Sequence, residues 1–318
     1  MKVLDLDADH YTRHMLHAED RVWVEKNCYV DIWIELVHAL GCEPLAMLPF
    51  VNAIDFVGDQ WTFFKPKHDE LRALYGIDVQ ELNCWRPLLE HAVEHLGAGR
   101  LIATEADAWW LPDVTGTDYR TQHTKSSIIL NDLDVANRTL GYFHNAGYFK
   151  LGGEDFARTF RLDSEPDPAF MPLFAELVRI DKLRLLPDAE LKAQSAELLA
   201  RHAAQMPGNN PVERFAARFQ RDLPALQEQG LAYYHAWAFA TVRQLGAAAE
   251  LSMLHLRWLD ARRHAVTADA WDTINQGTKT FILKAARAVN SRRSLDAAPY
   301  FDAWAKAWQQ ARDALQAG

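Results

Sequence analysis

The stretch NCYVDIWIELVHALG, residues 27–41, decides how the chain is read. Asn27 has the side-chain oxygen of a helix N-cap. Val30, Trp33, Ile34, Val37 and Leu40 then recur at steps of three and four, which makes one apolar helical stripe. Gly41 is the stop. Cys28 falls in the first turn, where free backbone N–H groups and the helix dipole favour negative charge. The thiolate is the nucleophilic form of cysteine, so this is a position for a nucleophile. The plainer reading is a small buried residue, the commonest fate of a free cysteine.

Outward from this helix, the segments up to residue 162 mix helices and strands. DQWTFFKP, with its aromatic and β-branched content, reads as a strand. KHDELRALYG reads as a short helix closed by Gly76, and RPLLEHAVEHLGAG as another. RLIATEADAWWLP, HTKSSIILNDLD and TLGYFHNAGYFKL read as strands, the last two joined by a turn near Asp134 to Arg138. Helices first and strands later fit an α+β domain with an antiparallel sheet better than a doubly wound one. DSEPDPAFMP, residues 163–172, is acidic and proline-rich and reads as a linker. Beyond it, Ala, Leu, Arg and Glu dominate with helical periodicity, which indicates an all-helical bundle of about five helices. The expected division is 1–162, a linker at 163–172, and 173–318.

The composition narrows the function classes. Of 318 residues, 49% are hydrophobic and 24% charged, and the net charge is −9. A nucleic-acid partner needs a basic face, so none is expected. No apolar run is long enough to span a membrane, and the polar, acidic N-terminus does not read as a signal peptide. Three cysteines, Cys28, Cys42 and Cys84, without a CxxC pair, argue against a disulfide scaffold or a cysteine-rich zinc site. A reduced, cytoplasmic protein without a metal or resident cofactor is the expectation.

A nucleophilic cysteine needs a base, and the base an orienting group. His123 opens the strand HTKSSIIL, 95 residues after Cys28. A cysteine at a helix start with a histidine at a later strand start is the papain-type order. The third member is sought on the following strand, where Asn145 can accept the imidazole N–H; His144, Asp107 and Asp132 are the reserves. The backbone N–H of Cys28, with Asn27 or its neighbours, is the candidate oxyanion site. The tryptophans of DQWTFF and DAWWLP (Trp61, Trp109, Trp110) form a candidate substrate pocket, with core packing as the alternative. A metal site from His123, His144 and Asp132 or Asp107 has no motif behind it.

NCYVDIWIELVHALG, DFVGDQWTFFKP, DAWWLPDVTGTDYRTQHTKSSI and YFHNAGYFKL together resemble the bacterial DUF1839 family over nearly the whole chain. The N-terminal half also resembles the butirosin-type, papain-like cysteine acyltransferases: DAWWLP matches a D-x-Y-Y-L-P strand, and His123 leads the next strand. YFHN stands where that group has an acidic Y-x-x-D-P, a departure that leaves the third triad member open. The resemblance implies an acyltransferase of natural-product biosynthesis. An acyl or aminoacyl group would move from the phosphopantetheine thioester of a carrier protein to Cys28, and then to a small-molecule amine acceptor. The phosphopantetheine would arrive on the carrier. Asp107 or Asp113 is the candidate for holding an aminoacyl ammonium group. Lys279, Lys284 and Arg287, or Lys65 and Lys67, are the candidate carrier-docking cations. A cysteine hydrolase with the same triad, a thioesterase or peptidase, and a non-catalytic scaffold are the alternatives.

Overall fold

A computed structural model describes residues 1–162 and 174–317; the stretch expected to be the linker lies outside them. Up to residue 162 the chain forms α1 (Cys28–Ala39), two short strands β1 (Phe56–Val57) and β2 (Gln60–Trp61), α2 (His68–Tyr75), β3 (Asp78–Glu81) and α3 (Leu88–Gly97). Then come β4 (Leu101–Asp107), β5 (Lys125–Asp134), β6 (Thr139–His144), β7 (Gly147–Gly152) and α4 (Glu154–Thr159). From residue 174 there follow β8 (Ala175–Arg179), α5 (Asp188–Ala204), α6 (Pro211–Gln229), α7 (Leu231–Ala240), α8 (Val242–Asp260), α9 (Ala265–Ser291) and α10 (Ala298–Ala317). The molecule is thus α+β with antiparallel sheets and a helical C-terminal half.

The chain divides into two compact units, and neither is one continuous segment. The first comprises Met1–Ala18, Asn27–Pro44 and Lys67–Leu186; the second comprises Glu19–Lys26, Leu45–Pro66 and Pro187–Gly318. The division expected at 163–172 is therefore corrected in two respects. Residues 19–26 and 45–66 fold with the helices, and Ala175–Arg179 joins the sheet.

In the first unit a six-stranded antiparallel sheet runs in the order β3-β8-β4-β5-β6-β7. β8 lies second from one edge, between β3 and β4; AELVR is only 5 residues long, too short a signal to stand out beside a proline-rich stretch. The strand expected over TLGYFHNAGYFKL is a hairpin, β6 and β7, turned at Asn145 in the left-handed region with φ 43°. α1 begins and ends close to expectation. Asn27 Oδ1 accepts from the N–H groups of Tyr29 and Val30 at 3.1 and 2.8 Å. Val30, Trp33, Ile34 and Val37 are fully buried, and burying each of the three aliphatic ones is worth about 1.5–3 kcal/mol. The opposite side of α1 is buried too. Asp31 and Glu35 there face the ring nitrogens of the buried His17, so the interior carboxylates are partnered. The other sheet face carries a core that includes Ile102, Ile128, Leu130, Tyr142 and Phe156.

The second unit is a helical array. α7 and α8 are separated by a break at Thr241, whose hydroxyl donates to the Trp237 carbonyl at 2.7 Å. Strands β1 and β2 belong here because Phe56 and Trp61 pack on Phe215, at ring separations of 5.1 and 5.9 Å. Residues 19–26 are held by Glu250, whose carboxylate accepts from the N–H groups of Val22 and Trp23. Gly246 on α8 is required by close approach: an added Cβ would lie 2.7 Å from the Trp23 ring.

Candidate active site

Cys28 is the first residue of α1. The Asn27 cap takes the next N–H groups, and the Cys28 N–H makes no hydrogen bond among the described residues. The Cys28 thiol lies 3.8 Å from the Ser127 hydroxyl on β5 and is half-buried. Successive strand residues point to opposite faces. Ser127 and its cross-strand partner Glu105 therefore share the face toward Cys28, with Lys125 and its partner Asp107 one rung further along. Two residues of strand advance the chain by about 7 Å.

At the end of this ladder, His123 Nδ1 is 2.6 Å from Asp107 Oδ2. The other Asp107 oxygen accepts the Trp109 N–H at 3.1 Å, which caps the short 3₁₀ turn 108–110. The His123 ring stacks on Trp109, with centroids 4.5 Å apart and planes inclined by 13°. A carboxylate at Nδ1 selects the tautomer that leaves Nε2 as the acceptor. Nε2 has no partner among the described residues, and the His123 side chain is 68% exposed. The loop leading to His123 is pinned by Asp118, which accepts from Gln122 and Thr124 at 2.7 Å. Burial raises the Asp118 carboxyl, but these bonds outweigh it and hold it below the usual carboxylate range.

The third member chosen from the sequence is corrected. Asn145 sits on the β6–β7 turn, and the group that orients His123 is Asp107, one of the reserves. The expectation looked only to the strand after β5, whereas β5 has a neighbour on each side, and the carboxylate comes from β4. His144 points to the opposite sheet face, fully buried, between Ser126 Oγ and Asp113 Oδ2, each at 2.6 Å. Asp113 also accepts from the Tyr142 hydroxyl at 2.5 Å, so it is a buried structural acid and not an exposed ammonium site. Asp132 lies past the β-bulge of β5, opposite Gly141 and away from His123. His123, His144 and Asp132 therefore do not converge on a metal.

The remaining candidates separate similarly. The Asn27 oxygen is committed to the helix cap. Trp109 and Trp110 are half-buried, Trp109 against His123 and Trp110 beneath the Arg120 guanidinium at 4.3 Å. Trp61 is 3% exposed in the aromatic core of the second unit. Lys65 falls in the second unit and Lys67 in the first. Lys279, Lys284 and Arg287 are exposed on α9 around Leu283, which is 58% exposed. Lys279 donates to the Val22 carbonyl at 3.0 Å, and Lys284 bonds the Tyr300 hydroxyl.

Several residues of this face were not singled out from the sequence: Ser127, Glu105, and the group of Tyr29, Glu176 and His68. Tyr29 donates to Glu176 at 2.7 Å, with His68 Nε2 3.0 Å from the same hydroxyl. Alternation within KSSIIL marks Ser127 as sharing a face with Lys125, but only the register brings Glu105 beside it.

Residues 12–180 match the model of the DUF1839 N-terminal domain and residues 188–317 that of the DUF1839 C-terminal domain. The chain belongs to the DUF1839 family. No curated protein matches it. Among the described residues, no helix is long and apolar enough to cross a membrane.

Proposed function

We propose that the protein is a cysteine-dependent acyltransferase, with Cys28 as nucleophile, His123 as general base and Asp107 as its orienting acid. One observation carries the reading: the thiol at the opening of α1 lies beside Ser127, and Asp107, which holds His123, is on the same sheet face two residues further along the β4–β5 ladder. The unpartnered Cys28 N–H and the Ser127 hydroxyl are the donors for the oxyanion.

In the first step the Cys28 sulfur attacks the carbonyl of a phosphopantetheine thioester on a carrier protein. His123 takes the thiol proton, the carbonyl–sulfur bond to pantetheine breaks, and pantetheine leaves as the thiol with that proton. In the second step an amine attacks the acyl-enzyme; its proton passes through His123 to the departing Cys28 sulfur. Exchange between thioesters needs little driving force, and formation of the amide draws the sequence forward. The α9 face around Leu283, with Lys279, Lys284 and Arg287, suits an acidic carrier, because cations around an exposed apolar side chain steer an oppositely charged partner.

The experiment is to incubate the protein with acyl-carrier thioesters, with and without added amines, and to analyse the products. Amide formed only with amine and enzyme supports transfer. Free acid in both cases overturns it in favour of a hydrolase.

A further inference from the structure

Three carboxylates stand on the sheet face near the first turn of α1: Glu176, Glu105 and Asp107. Their hydrogen bonds separate them. Glu176 meets the Tyr29 hydroxyl through one oxygen and His68 Nε2, at 3.3 Å, through the other. Asp107 holds His123 through one oxygen and the Trp109 N–H through the other. Glu105 differs. Its Oε1 accepts from Lys125 Nζ at 2.9 Å, and its Oε2 makes no hydrogen bond among the described residues. The side chain is 32% exposed.

Glu105 is also the carboxylate closest in register to the nucleophile. It is the direct cross-strand partner of Ser127, whose hydroxyl lies 3.8 Å from the Cys28 sulfur. Directly opposed residues hold their Cβ atoms about 5 Å apart, so a substituent on the carbon next to the acyl carbonyl falls within reach of the Glu105 side chain.

We propose that Glu105 is a specificity residue whose Oε2 accepts a hydrogen bond from the α-ammonium group of an aminoacyl moiety on Cys28, so that the site takes aminoacyl groups in preference to plain acyl groups. Hydrogen bonds between ionised partners are roughly twice as strong as neutral ones, and an ammonium group in a half-dry site needs such an acceptor. Lys125 orients the carboxylate through its other oxygen without closing Oε2. This proposal rests on the Cys28 reading above.

The test uses three thioesters: alanyl-pantetheine, propionyl-pantetheine, which lacks the amino group, and N-acetylalanyl-pantetheine, whose nitrogen is neutral. The rate at which each acylates the intact protein is followed by mass. The expected result is alanyl transfer about tenfold or more faster than the other two, as a charge-assisted hydrogen bond implies. Glu105→Gln loses the preference. Equal rates for all three on the wild-type chain, or a preference that survives in Glu105→Gln, overturn the proposal and leave the Cys28 reading standing. No acylation of Cys28 by any of them defeats the Cys28 reading and the proposal with it. The wild-type comparison needs no variant, so a misfolded Glu105→Gln does not obstruct it.

Discussion

His123 Nδ1 meets Asp107 Oδ2 at 2.6 Å, across the end of the β4–β5 ladder and on the sheet face that also carries Ser127 beneath Cys28. The carboxylate is doubly anchored, by the imidazole and by the Trp109 N–H, so it fixes the ring and its tautomer together. Asn145, at a hairpin turn, has no such part.

Asp107→Asn is expected to lower the rate of Cys28 acylation by on the order of 10²-fold, because the amide no longer selects the tautomer with a basic Nε2. Asn145→Gly leaves the rate unchanged, since glycine adopts the left-handed turn freely, while Asn145→Val lowers stability by about 1–2 kcal/mol. Acylation kinetics and urea unfolding of the three variants check both halves.

Thiol labelling ranks the three cysteines. Burial pushes the Cys42 thiol up to about 11. Burial, with the Glu81 charge, raises that of Cys84 as well. A raised thiol holds less thiolate at neutral pH and is slow to alkylate. Iodoacetamide at pH 7.5 is therefore expected to modify Cys28 first, as read by peptide mass mapping. Cys42 is expected to gain reactivity only as the pH approaches 11. Faster labelling of Cys42 or Cys84 at pH 7.5 would count against the role given to Cys28.

The buried pair of His144 and Asp113 makes a stability prediction without a direct part in the chemistry. Removing the acid leaves the His144 ring and the Tyr142 hydroxyl without their partner in the interior. Asp113→Ala should cost about 3 kcal/mol, the usual penalty for breaking a buried pair, seen as a lower urea midpoint. A cost near zero would place Asp113 in solvent and revive it as a substrate contact.

His255 on α8 sets an acid limit on the second unit. Burial, helped by the charge of His264, lowers its imidazole from 6.5 to about 3. Below pH 6.5 the unfolded chain takes up a proton that the folded chain refuses, so stability falls as pH drops toward 3. The slope approaches about 1.4 kcal/mol per pH unit for this one group. His255→Leu should remove that share of the slope between pH 6 and about 4, measured as unfolding free energy against pH.

Much of this architecture is legible in the sequence where one local signal governs it. The Asn27 cap and the apolar spacing of residues 30–40 place α1, and Gly76, with φ 73°, ends α2. Strand pairing is not a local signal. His123 stands out by its position at a strand start, but its partner depends on which strand lies on each side of β5. Trp61 reads as a pocket residue because an exposed and a buried aromatic have the same letters; the burial came from Phe215, more than 150 residues away. Glu105 is not legible in the sequence for a similar reason, since only the register sets it opposite Ser127. Residues 19–26 fold with the helical unit through Glu250, a hydrogen-bond partner that no periodicity reveals.

The most direct measurement is the intact mass of the protein after mixing with an aminoacylated carrier protein. The expected result is a mass increase equal to one aminoacyl group, released by hydroxylamine and absent in Cys28→Ser. An increase that persists in Cys28→Ser, or no adduct with any charged carrier, would contradict acyl transfer through Cys28.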